Sequence, residues 1–254
     1  MTGLFRPHIL RFDSLPSTNT EAAWQARSGA PEGLIVVARE QTAGRGRQSR
    51  LWLSPKDAGL YCSAILRPRV GKEIWPLMTL MAATAVHDAL RKACALPTDI
   101  KWPNDVLAGE RKLCGILAEA IDTPTGACVV LGIGINLTDA AFPPQIKHTA
   151  TSIEAETGKR YDAETMLRSL IAQLGENYSL LHEADGANRI IEAWSRASSY
   201  AEGKWVRVET GTKVFEGVTR GLAADGRLRV ETTRGEIVTV SAGDVTQLRA
   251  AVSN

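Results

Sequence analysis

The sequence predicts an α+β protein in two parts. Over residues 1–200, apolar runs rich in β-branched residues alternate with long helical patterns, as in a sheet that carries helices. From Glu202 the texture changes to short alternating strands separated by glycine-containing turns, the signature of a small β-barrel of about 50 residues. A boundary near Tyr200 divides a domain of residues 1–200 from a barrel of residues 201–254.

A length of 254 residues allows one large domain, or one with a small appendage. Hydrophobic and charged fractions of 44% and 23% are ordinary for a soluble globular protein, and a net charge of +2 is too weak for a general nucleic-acid binder. No apolar run approaches the roughly 18 residues a membrane span needs. Met1 to Pro16, with Arg6, His8, Arg11 and Asp13, has no apolar signal core. Cys62, Cys94, Cys114 and Cys128 sit singly in apolar segments and read as buried free thiols in a reducing compartment rather than metal ligands. The expectation is a cytoplasmic protein.

His8 to Phe12 is the first strand. A helix over about Thr20 to Ser28 follows, stopped by Gly29, with Ser17 or Thr18 as its cap and Glu21 completing a capping box. Leu34 to Ala38 is a buried strand that feeds the stretch Glu40 to Trp52. There Arg45, Arg47 and Arg50 alternate with small or polar residues, and Gly44 and Gly46 flank the first. Arginine's planar fork suits carboxylate or phosphate, and glycine lets the backbone approach a ligand. The segment reads as an anion clamp or as a solvated basic loop, and these residues alone leave both open. It is neither of two familiar phosphate loops. The pattern G-x-x-x-x-G-K-[ST] is absent, and the dinucleotide fingerprint fails at Ser49 and at Pro55, which opposes a helix there.

Leu60 to Arg67 is a strand, and Glu73 to Ala95 a long helix with Pro76 in its first turn and Leu77, Leu80, Met81 and Leu90 on its apolar face. His87 on that helix reads as structural. Asp99 to Leu107 is a short strand broken by a Trp-Pro-Asn-Asp turn. Arg111 to Glu119 and Val129 to Leu137 are strands containing Gly115, Gly132 and Gly134. Glycine within a strand marks a bulge or a close approach, so the pair reads as a pocket floor. Phe142 to Ala150 is loop, and helices follow over about Ala163 to His182 and Ala187 to Ser198. The barrel strands are Lys204 to Val208, Val214 to Leu222, Leu228 to Glu231 and Glu236 to Val240.

Arg45, Arg47, Lys101 and Lys112, with strand glycines that admit a ligand, suit a carboxylate and a phosphate held side by side. Joining two anions needs neutralisation of charge and close positioning. No Ser-His-Asp order, no Cys–His pair near the glycine strands and no H-E-x-x-H offers a competing chemistry. The residues point to nucleotidyl transfer by positioning.

Five blocks in order carry a resemblance: Ser17-Thr18-Asn19, Gln41-x-x-Gly44-Arg45-Gly46-Arg47, Lys101-Trp102-Pro103-Asn104-Asp105, Lys112-Leu113-x-Gly115-Ile116-Leu117 and Gly132-Ile133-Gly134-Ile135-Asn136. Each is weak alone. Together they resemble the biotin protein ligases over nearly the whole chain. The resemblance implies a core like that of class II aminoacyl-tRNA synthetases, a mixed, mostly antiparallel sheet with helices, followed by an SH3-like barrel. It implies an enzyme that joins biotin to ATP as biotinyl-5′-AMP with Mg²⁺, releasing pyrophosphate. Biotin then passes to one lysine of a biotin carboxyl carrier domain of a biotin-dependent carboxylase.

Residue by residue, the resemblance gives Ser17, Thr18 and Gln41 to the ureido end of biotin, with Asn19 beside them. Gly44 to Arg47 would order over the adenylate, Arg45 near the carboxylate and Arg47 on phosphate. Lys112 would neutralise charge between carboxylate and α-phosphate. Gly115 and Gly132 would let biotin lie against the strands. Trp52 would cover the ligand, Lys101 and Asn136 would meet the nucleotide, Asn136 at adenine. Asn104 and Asp105 would serve Mg²⁺ or orient the incoming lysine, Asp105 helping that amine lose its proton.

Two departures from the family pattern stand out. The family loop commonly reads Gly-Arg-Gly-Arg-Arg-Gly-Arg, and Gln48 and Ser49 replace its fifth and sixth residues. Weaker adenylate retention or altered closure is expected. The ligase blocks also begin at Ser17, leaving no room for the winged helix-turn-helix that makes some members repressors, so no operator binding is expected. The rivals are a lipoate or octanoyl ligase, disfavoured by the Gly-Arg-Gly-Arg loop and by Lys-Trp-Pro-Asn-Asp, and a nucleic-acid module, disfavoured by near-neutral charge and by a barrel with few aromatic residues for stacking. A homodimer through an exposed sheet edge is allowed, with no edge assigned.

Overall fold

The computed structural model describes residues 5–211, 213–241 and 244–247. Of the barrel expected over 201–254, the last seven residues, 248–254, lie outside the described residues.

The first sheet has seven strands in the order β1-β2-β3-β7-β6-β5-β4. These are β1 (His8–Phe12), β2 (Leu34–Ala38), β3 (Gly59–Leu66), β4 (Asp99–Lys101), β5 (Asp105–Ala108), β6 (Arg111–Ile121) and β7 (Cys128–Asn136). Only β1 and β2 pair in parallel; the other pairings are antiparallel, which is the mixed, mostly antiparallel sheet expected. β3 and β7 are buried at every position, which is why they read as continuous apolar runs.

One face of this sheet is covered by α2 (Leu77–Cys94), α4 (Ala163–Leu181) and α5 (Gly186–Ala197), with the short α3 (Ile153–Thr157) between α2 and α4 along the chain. Cys62, Ala64, Leu131, Ile133, Ile135 and Ile116 point into that core with Leu80, Met81 and Leu90 of α2. On the other face α1 (Thr18–Arg27) packs Ala22 and Ala26 against Val36, Ile65 and Val130. That helix covers only part of the face. The uncovered part becomes the site.

Two boundaries differ from expectation for physical reasons. The helix expected from Glu73 begins at Leu77, after a 3₁₀ turn at Lys72–Ile74. A continuous α-helix would set the Pro76 ring against the Lys72 carbonyl, and that carbonyl instead accepts the Trp75 N–H at 3.2 Å. The second difference is a fifth barrel strand.

The second sheet follows the order β11-β10-β9-β8-β12, all antiparallel. It comprises β8 (Glu202–Glu209), β9 (Val214–Leu222), β10 (Leu228–Thr232), β11 (Ile237–Val240) and β12 (Asp244–Gln247). The last strand, Asp-Val-Thr-Gln, has too little apolar alternation to announce itself and is recruited by pairing with β8. Val206, Val208, Leu228, Val230 and Val240 belong to the same buried cluster as the helices on the first sheet. Trp102 fastens the two parts, its Nε1 donating to Gly226 O at 3.1 Å.

Candidate active site

Two neighbouring strands, β6 and β7, place glycine where side chains would otherwise crowd the open face. Ser63, Gly132 and Leu117 form one rung, and Tyr61, Gly134 and Gly115 the next. The register along β7 is continuous, so its glycines mark close approach and not bulges. A β-carbon at Gly132 would stand 1.9 Å from Asn19 Oδ1, and one at Gly134 2.4 Å from Trp52 Nε1. At Gly115 it would meet Trp52 Cζ3 at 3.0 Å. Gly115 and Gly132 were expected to make room for a ligand. They line the cavity, but their nearest guests are Trp52 and Asn19.

A bulge does occur on β6, and it aims the central lysine. Leu107 pairs with Lys112 and Val106 with Cys114, leaving Leu113 as the extra residue. Leu113 and Cys114 therefore both enter the core, and Lys112 and Gly115 both face the pocket. The Lys112 backbone is pinned on its other side, its N–H donating to Thr149 O at 2.8 Å and its carbonyl accepting Thr151 N–H at 2.9 Å. Lys112 Nζ stands 2.7 Å from Asp105 Oδ1 and 5.3 Å from the centre of the Trp52 ring.

The expected cap of α1 is not formed. Ser17 holds the N-cap position without a side-chain capping bond, and Thr18 is already helical. Thr18 uses its donors on the pocket wall instead: its N–H and Oγ1 both donate to Gln41 Oε1, at 2.8 and 3.0 Å. Gln41 Nε2 donates to Ser54 Oγ at 2.8 Å. Ser63 Oγ lies 2.8 Å from Thr18 Oγ1 and donates to Asn19 Oδ1 at 2.6 Å. Asn19 Nδ2 donates to Glu119 Oε2 at 2.8 Å, and Arg45 donates to Glu119 Oε1 at 2.5 Å. Ser17, Thr18 and Asn19 are all buried, so this chain of bonds satisfies polar groups taken out of water.

Two chambers meet here. The first, about 270 Å³, is lined by Ser17, Thr18, Asn19, Gln41, Arg45, Arg47, Asn104, Gly115 and Gly132 among others. The second, about 660 Å³, is lined by Asn136, Phe142, Ile146, His148 and Tyr200. Trp52, Lys101, Asp105 and Lys112 line both. Of the residues expected at the site, Gly44 lines neither; it lies behind the wall, where a β-carbon would meet Trp52 O at 2.3 Å. Arg47 donates to Asn104 Oδ1 at 3.2 Å, and Asn104 Nδ2 donates to Ile116 O at 2.8 Å. Asn136 donates to Thr151 O at 2.9 Å.

The thiols near the site take no part. Burial pushes Cys62 up to about 12 and Cys114 well above its ordinary value, so both stay protonated and inert. All four cysteines are buried and free, as expected.

Comparison with known proteins places this geometry. Residues 11–136 match the biotin/lipoate A/B protein ligase family, and residues 203–246 match the biotin protein ligase C terminal domain. The chain is 36% identical to the bifunctional ligase/repressor BirA of Bacillus subtilis, covering 92% of this chain and 72% of that protein. It is 37% identical to the biotin–[acetyl-CoA-carboxylase] ligase of Mycobacterium tuberculosis, covering 92% and 86%. The chain belongs to the biotin protein ligase family. Among solved structures, the biotin protein ligase of Aquifex aeolicus in complex with biotin and ATP is similar over 97% of this chain and 100% of that one, with a TM-score of 0.83 at 28% identity.

Within the biotin protein ligase family pattern, the arginine loop departs at Gln48 and Ser49, and both adopt left-handed backbone, φ 54° and 59°. Glycine in the family's sixth position would take that conformation freely. Sequence reasoning missed Ser63, Glu119 and the second chamber's Phe142, Ile146 and Tyr200. Two signals were present: Ser63 is a hydroxyl inside an apolar strand, and Glu119 shares the face of Gly115 and Leu117 by period-two alternation.

Proposed function

We infer that the protein attaches biotin to a lysine of a biotin carboxyl carrier domain in two steps at this site. Biotin's carboxylate attacks the α-phosphorus of ATP, giving biotinyl-5′-AMP and pyrophosphate. The acceptor amine then attacks the acyl carbon and AMP leaves. The observation that carries this reading is the Lys112–Asp105 pair on the wall shared by the two chambers, with Lys101 beside it. A carboxylate in one chamber and a nucleotide phosphate in the other would meet at that ammonium.

The first chamber suits biotin. Its hydrogen-bonding wall of Ser17, Thr18, Asn19 and Gln41 matches a ureido group, which carries one acceptor and two donors. The second suits the nucleotide, with apolar Phe142 and Ile146 beside the amide of Asn136. Lys112 then neutralises charge as two anions approach, and the arginines of the loop bind carboxylate and phosphate. An arriving phosphate would draw Lys112 from Asp105. That exchange frees the carboxylate to accept a proton from the acceptor amine.

Mg²⁺ would enter with the triphosphate and neutralise its charge. Among the described residues no group of three or more His, Cys, Asp or Glu side chains is gathered at one point. Asp105 fits as the protein's contribution. Asn104 fits poorly, because its oxygen accepts from Arg47 and its amide nitrogen donates to Ile116. The catalytic domain is proposed as residues 1–200 and the barrel as 201–254.

The test is mass spectrometry of a biotin carboxyl carrier domain incubated with the protein, ATP, Mg²⁺ and biotin, with lipoate in a parallel tube. A gain of one biotin, lost in Lys112→Ala, is expected. A gain with lipoate alone would move the reading to the sister ligases.

A further inference from the structure

Glu119 stands behind the first chamber and does not line it, yet both of its carboxylate oxygens hold residues that do. Oε2 accepts from Asn19 Nδ2 at 2.8 Å, and Oε1 accepts from Arg45 at 2.5 Å. The Glu119 side chain is 28% exposed and that of Arg45 47%. Asn19 is fixed further by Ser63 and by Leu117 O at 3.3 Å, lying over Gly132. Arg45 belongs to the loop that leaves Gln41 and returns at Ser54, and Gln41 bonds to both Ser54 and Thr18. The polar wall thus begins and ends on one loop: Ser54, Gln41, Thr18, Ser63, Asn19, and through Glu119 to Arg45.

We propose that Glu119 is the positioning residue that latches the arginine loop to the ring-binding wall of the first chamber. A carboxylate is required for this. It accepts from two donors at once, whereas a glutamine would turn an N–H₂ toward either Asn19 or Arg45. Because Asn19 also faces the ligand, a ligand that orders Asn19 orders Glu119, and Glu119 in turn holds Arg45 over the pocket. The lid is coupled to occupancy at the opposite end of the chamber without a contact between ligand and Glu119. This coupling rests on biotin being the ligand of this chamber.

The test uses the full-length protein with biotin as probe. Trypsin can cut after Arg45, Arg47 and Arg50, so the rate of cleavage in this loop reads closure. In the wild type, biotin should slow that cleavage. In Glu119→Gln, saturating biotin should protect several-fold less, and the Kd for biotin should rise about tenfold, the scale of one charge-assisted hydrogen bond. Turnover at saturating biotin should change far less than KM. In an Arg45→Met background the same Glu119→Gln change should cost much less, since the two side chains act as one unit. Equal protection in wild type and Glu119→Gln, or strictly additive losses in the double variant, would overturn the latch. Absence of any protection in the wild type would instead overturn biotin as the ligand, and the latch with it. A thermal midpoint of Glu119→Gln without biotin near that of the wild type establishes that the variant is folded. If it is not, Glu119→Asp, which keeps the charge and shortens the reach, must still protect the loop less than wild type.

Discussion

Trp52 and Gly134 compete for one volume: a β-carbon at position 134 would stand 2.4 Å from Trp52 Nε1. That indole nitrogen is buried and has no hydrogen-bond partner among the described residues. The ring is held in place by its own backbone, which donates to Gly44 O at 2.9 Å. Gly134→Ala should displace the ring from the boundary between the chambers or strain it, at a cost of about 1–3 kcal/mol. The expected outcome is a red shift in tryptophan emission and weaker binding of biotin and ATP together. Unchanged emission and affinity would mean that Trp52 tolerates the methyl group by moving elsewhere in the wild type too.

Lys112→Ala should lower adenylate formation by about 10²- to 10³-fold, the scale of removing one preorganised electrostatic stabiliser. Pyrophosphate release at saturating ATP and biotin measures it. The fold should survive, because the bonds from Lys112 to Thr149 and Thr151 are made by its backbone. Asp105 loses its partner in this variant but is partly exposed and can be hydrated. Wild-type pyrophosphate release would remove Lys112 from the role assigned to it.

His87 gives a pH dependence of known sign. Burial holds its pKa below the ordinary value, and the Asp88 charge opposes that only in part. Its Nδ1 sits 2.8 Å from Thr98 Oγ1. The unfolded chain therefore binds more protons than the folded one around the ordinary histidine pKa of about 6.5. This contribution to stability is present above that pH and is lost as pH falls through the depressed folded value. The thermal midpoint should drop between about pH 7.5 and pH 5, and His87→Gln should reduce the drop. Parallel curves for the two proteins would assign the acid sensitivity elsewhere.

Much of the site was legible because its chemistry lies in short contiguous blocks. Gly132 and Gly134 announced a close approach, and Lys112 an anion. What approached them was not legible, since Asn19 and Trp52 arrive from segments more than eighty residues away along the chain. The bulge at Leu113 was hidden as well. It depends on pairing with β5 and leaves no mark in the apolar pattern, yet it is what turns Lys112 to the same face as Gly115. Ser17 and Thr18 read as a helix cap by local rules, and the tertiary bond to Gln41 overrode them. Alternation set the face of Glu119 on β6, but its partners Asn19 and Arg45 come from α1 and the arginine loop, which only the tertiary fold brings together.

The loop departure at Ser49 offers a test with opposed outcomes. Ser49 sits at φ 59° beside Gln48 at φ 54°. Left-handed backbone costs a non-glycine residue roughly 1–2 kcal/mol, while glycine's extra freedom in the open loop costs only about 0.5–1 kcal/mol. Ser49→Gly should therefore favour the observed loop conformation by a few tenths to about 1 kcal/mol. Ser49→Val goes the other way, because a β-branched side chain resists this region most strongly. Release of labelled biotinyl-5′-AMP from the preformed complex separates them: slower than wild type in Ser49→Gly, several-fold faster in Ser49→Val. Equal release from all three proteins would mean that the conformation seen at Gln48 and Ser49 is not the one that retains the adenylate, and that closure depends on Arg45 and Arg47 alone.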